Sequence, residues 1–349
     1  MRLFSNKMFR KFYSLEPYEQ RDLNNRTIFT LVPCFEATFA EMIQYEEKGG
    51  HWFRAGRLKK WLNENEININ NAGININSHG FRGYELPQAK DAGIVRIMAL
   101  GDSCTFGTVE SMSYPRAMER KLNSNGIKAE VINAGVEKYG IRHLLKRQEY
   151  YLGFKPDIAT IYTGWIGANF FGDDFAGTLD VFNNSYWLAA LNSKFRKLRG
   201  VSNCEEPKKT NGKFYKKVNT NYGSTYYMDQ IWLLAQGLMQ NNVKVVLFTL
   251  PSWFDPLNEA DADMLKFGNL PPFSGNAYIF GYRVYEYNNR LRDLSAKHEI
   301  PLIDLERYID NTYHDKKQYF WDACHLNPEV QVEVGEFIAA ELMRTGLIG

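Results

Sequence analysis

From residue 91 onward, short apolar stretches alternate with segments of helical periodicity. Five of the stretches are almost continuously apolar, which is typical of strands buried on both faces of a parallel sheet. They are Ile94–Leu100, Ala129–Gly135, Asp157–Gly164, Val243–Pro251 and Pro301–Leu305. The pattern therefore predicts a sheet of five strands, mostly parallel, with helices on both sides.

Two of the intervening segments have clear amphipathic patterns. The segment 225–242 places four apolar residues on one helical face: Tyr227, Ile231, Leu234 and Leu238. In the last segment Asn327 is suited to cap a helix, and Pro328 is suited to its first position. An apolar stripe follows there, formed by Val330, Val334, Phe337 and Ile338. Strands and helices that alternate in this way predict a three-layer α/β/α sandwich.

The first 90 residues do not follow that pattern. We interpret residues 1–90 as an N-terminal extension with helical segments, and residues 91–349 as one α/β domain with insertions at about 166–224 and 252–281. Within the extension, the run EININNAGININS (66–78) alternates Ile with Asn around Asn-Asn-Ala-Gly. That alternation predicts a two-stranded β-hairpin.

Composition excludes several classes of partner and site. The 42 basic and 40 acidic residues give a net charge of +2, so no nucleic-acid partner is expected. The four cysteines are far apart and contain no C-x-x-C pair, so they form neither a disulfide framework nor a zinc pattern. No apolar stretch predicts a signal peptide or a bilayer span, and we expect a cytoplasmic protein. The sequence does not indicate an oligomeric state.

A serine that follows the first predicted strand is the candidate nucleophile. Ser103 lies in the stretch LGDSCTFG, and a serine hydroxyl needs an adjacent base that is oriented by a third group. Of the six histidines, His325 fits best, because Asp322 lies three residues before it in a loop ahead of the last helix. Loops of this kind gather at the carboxyl ends of parallel strands, where Ser103 also lies. We therefore predict that Ser103, His325 and Asp322 meet.

The tetrahedral intermediate that a serine nucleophile forms also needs hydrogen-bond donors for its oxyanion. After the second strand, Gly135 is a candidate to offer its backbone N–H. After the third strand, Asn169 is a candidate to offer its side-chain amide.

The order of these residues resembles the SGNH hydrolase superfamily, also called the GDSL esterase/lipase family. The resemblance covers roughly residues 75–345 and rests on the blocks NSHGFRGYE, RIMALGDSCTFG, VINAGVEKYG, PDIATIYTGW and DACHLNPE. It implies Ser103 as nucleophile, His325 as general base and acid, and Asp322 as the residue that orients His325. It also implies an oxyanion hole formed by the N–H groups of Ser103 and Gly135 and by the Asn169 side chain.

One block departs from the family pattern. The third block usually reads G-x-N-D, whereas Phe170 follows Asn169 here. An alternative alignment is anchored on Gly164 and Trp165 and puts Ile166 at the Asn position, which would leave the hole with one donor fewer.

The resemblance implies a serine esterase that needs no metal or organic cofactor. Its expected substrate is a small-molecule or carbohydrate O-acyl ester, such as an O-acetyl ester. Two alternatives stay open: an O-acyltransferase that uses the same triad, and a non-catalytic glycan-binding relative.

Two cysteines adjoin the predicted triad. Cys104 follows Ser103 and Cys324 precedes His325, so we expect the two thiols to be close in space. We favour the interpretation that they are small buried side chains over the alternative of a redox-sensitive bond.

Overall fold

The computed structural model describes residues 36–48, 52–137, 139–165, 226–254 and 277–348. These residues contain seven β-strands: β1 (Glu36–Thr38), β2 (Ala72–Asn75), β3 (Val95–Gly101), β4 (Ala129–Gly135), β5 (Ile158–Tyr162), β6 (Lys244–Phe248) and β7 (Leu302–Ile303). They also contain ten α-helices: α1 (Phe39–Lys48), α2 (Trp52–Glu64), α3 (Ser103–Phe106), α4 (Tyr114–Ser124), α5 (Ile141–Lys146), α6 (Gln148–Leu152), α7 (Tyr226–Met239), α8 (Ala277–His298), α9 (Leu305–Thr312) and α10 (Pro328–Arg344).

The five strands from β3 to β7 form one parallel sheet in the order β4-β3-β5-β6-β7. β3 pairs with β4 along its whole length, from Val95 opposite Ala129 to Gly101 opposite Gly135. Each predicted strand occurs, and the predicted fold class is confirmed. Because β3 lies between the next two strands of the chain, its carboxyl end is the point where the strand order reverses, which is where open α/β sheets bind ligands.

The two amphipathic patterns also form helices. In α7 the buried face contains Ile231, Leu234 and Leu238. α10 begins at Pro328, and the Asn327 side chain accepts a hydrogen bond from Val330 N–H at 3.0 Å. Across the described residues, no helix combines the length and apolarity needed to cross a bilayer.

The predicted β-hairpin over residues 66–78 is wrong. Only its second half forms a strand, β2, and β2 pairs with the distant β1 in an antiparallel ladder. The first half turns instead of extending, because Asn68 accepts hydrogen bonds from Asn70 N–H through its side chain and from Asn71 N–H through its carbonyl.

We call residues 36–48 and 52–76 the N-terminal unit. Strands β1 and β2 and helices α1 and α2 enclose a small apolar core of their own. That core also includes Phe106, Val109 and Trp321 from outside the unit. The unit therefore packs directly on the segments that follow β3 and precede α10. The division of the chain at residue 90 stays a prediction.

A buried arginine ties this unit to the sheet. Arg82, from the block NSHGFRGYE, donates to the carbonyls of Gly73 at 3.0 Å and Thr108 at 3.3 Å. Its guanidinium also lies 4.0 Å from the centre of the Phe106 ring. One side chain thus fixes β2 against the segment that leaves α3.

Gly101 is required where β3 passes into α3. A Cβ at this position would lie 2.0 Å from Thr105 Oγ1 and 2.5 Å from the carbonyl oxygen of Tyr162, so the structure would have to shift. We expect Gly101→Ala to lower the free energy of unfolding by about 1–3 kcal/mol, as overpacking does. Urea denaturation measures the change.

Gly56 provides the matched control for that substitution. It lies in α2, and no atom lies within 4 Å of where its Cβ would be. Gly56→Ala should raise the free energy of unfolding by roughly 0.5–1 kcal/mol, because alanine favours the helix. Equal effects of the two substitutions would contradict the steric explanation.

Candidate active site

Ser103 is the first residue of α3, immediately after β3. Asp102 precedes it, is fully buried, and caps the helix by accepting a hydrogen bond from Cys104 N–H at 3.0 Å. The sharp turn from strand to helix holds Ser103 at the carboxyl edge of the sheet. No described residue accepts a hydrogen bond from its N–H group.

The loop before α10 brings the other two predicted residues to this edge. Asp322 Oδ1 accepts hydrogen bonds from the backbone N–H groups of Cys324 at 3.0 Å and His325 at 2.9 Å, which fixes the carboxylate in a local turn. Both Asp322 oxygens lie 2.8 Å from His325 Nδ1. On the other side of the ring, His325 Nε2 lies 2.8 Å from Ser103 Oγ. The structure thus brings all three predicted residues together in one hydrogen-bonded chain.

The electrostatics of this chain follow from burial and charge. Burial alone would raise the pKa of Asp322, but the neighbouring charges of His325 and Arg54 and the bond from Cys324 N–H hold it well below its ordinary value. Burial alone would lower the pKa of His325, but the Asp322 carboxylate outweighs it and raises that pKa well above its ordinary value of 6.5. Asp322 therefore stays ionised, and it stabilises a proton on the imidazole.

An open pocket leads to Ser103 and His325. The N-terminal unit contributes much of its wall. The lining combines apolar side chains with three charged ones: Met42, Leu58, Ile74, Phe106 and Trp321 with Glu46, Arg54 and Glu137. The pocket therefore offers both an apolar surface and hydrogen-bonding groups beside the serine.

Glu46 and Arg54 also lie at this site, and neither was predicted from the sequence. Arg54 lies 3.6 Å from Asp322 and forms an ion pair with Glu46 at 3.0 Å. A pattern in α2 could have drawn attention to it: Arg54, Arg57 and Trp61 share one face of a helix that the local sequence predicts.

Two further predicted oxyanion donors, Gly135 and Asn169, stay predictions. The Gly135 N–H donates to Asn133 Oδ1 at 3.0 Å. The missing side chain of Gly135 is explained by packing, since a Cβ would lie 2.3 Å from Phe106 N. The place of the Gly135 N–H in the oxyanion hole stays a prediction. Asn169 lies outside the described residues, as does the whole insertion predicted at 166–224.

Comparison with known families decides the classification. The sequence model of the GDSL-like lipase/acylhydrolase family matches residues 99–331, about two thirds of the chain. This chain belongs to the GDSL-like lipase/acylhydrolase family. It is accordingly a serine hydrolase that acts on ester bonds. No protein among the curated sequences matches it.

Solved structures with a similar fold include several of the same class. An acetyl xylan esterase, AlAXEase, is 20% identical with a TM-score of 0.41, over 72% of this chain and 99% of that one. A lipase/acylhydrolase from Enterococcus faecalis is 18% identical with a TM-score of 0.45, over 73% and 97%. LAE5, an alpha/beta hydrolase enzyme from the metagenome of Lake Arreo, Spain, is 18% identical with a TM-score of 0.43, over 75% and 99%.

Two free thiols lie beside Ser103 and His325 of this acylhydrolase. The Cys104 thiol donates to the Cys324 carbonyl at 3.4 Å, and the ligand atoms of Cys104, Cys324 and His325 lie within 4.8 Å of one another. Burial raises the pKa of Cys104 to about 11, and the contact with Cys104 together with burial raises that of Cys324. Protonated thiols are weak ligands and nucleophiles. A metal here would also compete with Asp322 for His325 Nδ1.

Asp102 gives this acylhydrolase a testable pH dependence of stability. Burial raises its pKa from 3.8 to about 7, so the folded protein holds a proton that the unfolded chain releases. This contribution to the free energy of unfolding is complete below pH 3.8 and is lost as the pH rises to about 7. Asp102→Asn keeps a capping oxygen and removes the titration. Its free energy of unfolding relative to the parent should therefore increase between pH 4 and pH 8, by a few kcal/mol at about 1.4 kcal/mol per pKa unit.

Urea denaturation of both proteins across this pH range tests that expectation. A difference that stays constant with pH would mean that the Asp102 carboxyl does not titrate there.

Proposed function

We propose that this acylhydrolase cleaves O-acyl esters through an acyl-enzyme on Ser103. The observation that carries the proposal is the continuous hydrogen-bonded chain from Ser103 Oγ through His325 to Asp322, with both links at 2.8 Å. In this arrangement the base contacts the nucleophile and is itself oriented by a carboxylate, which is what serine catalysis requires.

The first half of the reaction forms the acyl-enzyme. Ser103 Oγ attacks the ester carbonyl carbon while its proton passes to His325 Nε2. The tetrahedral intermediate collapses, the ester C–O bond breaks, and the leaving alcohol takes the proton from His325. Asp322 stabilises the imidazolium in between without taking its proton.

The second half releases the acid. A water molecule gives a proton to His325 Nε2 and attacks the acyl carbon. Collapse returns the proton to Ser103 Oγ and frees the carboxylic acid. We propose the Ser103 N–H, at the start of α3, as an oxyanion donor, with the Gly135 N–H as a second candidate.

Hydrolysis of p-nitrophenyl acetate tests the roles of the triad. Ser103→Ala and His325→Ala should each lower kcat by roughly 10³- to 10⁶-fold, because they remove the nucleophile and the base. The matched controls are Ser124→Ala and His314→Ala, which change an exposed serine and an exposed histidine. A parent without activity, or triad variants as active as the controls, would contradict the proposal.

We further propose short acyl groups, with acetyl as the first candidate. The pocket wall contains the ion pair of Glu46 and Arg54, and a long alkyl chain against it would displace water from charged groups without replacing its hydrogen bonds. In a series of p-nitrophenyl esters we expect kcat/KM for acetyl to exceed that for octanoyl by roughly tenfold or more, which corresponds to about 1.4 kcal/mol. A preference for octanoyl would contradict this part of the proposal and leave the triad unaffected.

No described contact favours the two alternatives. Acyl transfer depends on a cleft built by the insertions, and residues 166–225 and 255–276 lie outside the described part of the chain. A non-catalytic binding role gives no reason for a serine, a histidine and a carboxylate to be aligned at hydrogen-bond distance.

A further inference from the structure

The loop that carries Asp322 and His325 contains little regular structure. α9 ends at Thr312 and α10 begins at Pro328, and between them the structure has a short 3-10 helix, Lys316–Gln318, and one isolated β-bridge, between Phe320 and Leu326. A side chain on such a loop is positioned by its contacts and not by a helix or strand. The contacts that hold Asp322 are therefore part of how this site is built.

Helix α2 of the N-terminal unit lies along this loop. Arg57 donates hydrogen bonds to the carbonyls of Phe320 and of Lys317, the latter at 3.1 Å. One turn further on, the Trp61 indole donates to Glu329. Arg54, one turn before Arg57, approaches Asp322 itself, with 3.6 Å between Nε and Oδ2. Three residues on one face of α2 thus contact the loop before His325 and the first turn of α10 after it.

Arg54 is held in place on its other side. Its Nη2 lies 3.0 Å from Glu46 Oε1, and the side chains of Arg54 and Glu46 are 17% and 11% exposed. Burial would lower the pKa of Arg54, but Glu46 and Asp322 raise it, so the guanidinium stays charged. A buried charge between two carboxylates has one preferred position, which makes it suited to orient its neighbours.

We propose that Arg54 is a positioning residue of the active site: anchored by Glu46, its guanidinium orients the Asp322 carboxylate toward His325. The inference rests on the proposed function, because orienting Asp322 matters for catalysis only if His325 acts as the base. It also makes the N-terminal unit a component of the site.

The charge of Arg54 also affects the pKa of His325, and this effect determines the direction of change that we expect in the test. Positive charge near the imidazole disfavours its protonation, so Arg54 lowers the pKa of His325 and partly offsets Asp322. The other titratable groups around the imidazole come from several elements: Cys324 on the same loop, Asp102 and Cys104 at α3, Glu46 on α1 and Glu137 after β4. Arg54→Met leaves all of these in place.

The first experiment follows the His325 imidazole by NMR titration in the inactive Ser103→Ala protein, so its readout does not depend on turnover. Arg54→Met should raise the pKa of His325 by about one unit, because it removes a positive charge. Glu46→Gln should lower the pKa of His325, because this substitution leaves the charge of Arg54 uncompensated. Arg54→Lys should return the pKa of His325 toward the parent value.

Lys59→Met is the matched control. It removes one positive charge from the same helix, but Lys59 is half exposed and its partner is Glu47. We expect it to leave the pKa of His325 unchanged. An equal change for Lys59→Met and Arg54→Met, or no change for Arg54→Met, would overturn the proposal.

The second experiment uses the active protein with p-nitrophenyl acetate. In Arg54→Met, kcat should fall about tenfold or more with little change in KM, and the acid limb of the kcat/KM profile should move to higher pH. A higher KM with an unchanged acid limb would instead place Arg54 in contact with substrate and overturn the positioning role. If the parent hydrolyses no ester while the NMR pKa values respond as expected, the proposed function fails and the arrangement of Arg54 and Asp322 stands.

Discussion

The buried carboxylate of Asp322 is the group on which the site depends. Its side chain is 6% exposed, and taking such a charge out of water is unfavourable unless several partners replace the lost hydration. Here the partners are two backbone N–H groups of its own turn, the His325 ring and the Arg54 guanidinium. The same contacts that make the buried charge tolerable also fix its direction. One set of contacts therefore both stabilises the buried Asp322 carboxylate and orients it.

The parallel sheet explains why residues so distant in sequence can meet. Ser103 and His325 are 222 positions apart, and each lies at the carboxyl edge of the sheet because of the element beside it. β3 places Ser103 at this edge directly, through the turn at Gly101 and Asp102. The loop before α10 places His325 there, and residues that follow β6 also form hydrogen bonds with that loop. Trp253 N–H and the Ser252 hydroxyl both donate to the Ala323 carbonyl, at 3.2 and 3.3 Å.

The sequence predicted these parts well because each has a local pattern. The strands are continuous apolar stretches, Asn327 and Pro328 mark the start of α10, and the spacing of Asp322 and His325 fits a single turn. What it could not predict depends on contacts between distant segments. The run 66–78 alternates like a hairpin, but its partner is β1, about 35 residues earlier in the chain. The role of Gly135 in the site stays a prediction; its N–H donates to Asn133 two residues earlier, and its missing side chain makes room for α3.

The N-terminal unit shows how such distant contacts enter a catalytic site. The sheet places the serine, whereas Asp322 lies on a loop that α2 contacts through Arg54 and Arg57. The apolar core of the N-terminal unit also includes Trp321, the residue next to Asp322. Packing of Trp321 and pairing of Arg54 thus act on adjacent residues of the same loop. Separating the unit from the sheet would expose the Trp321 ring and leave the Asp322 charge without Arg54, so docking of the unit and the position of Asp322 are coupled through this one contact region.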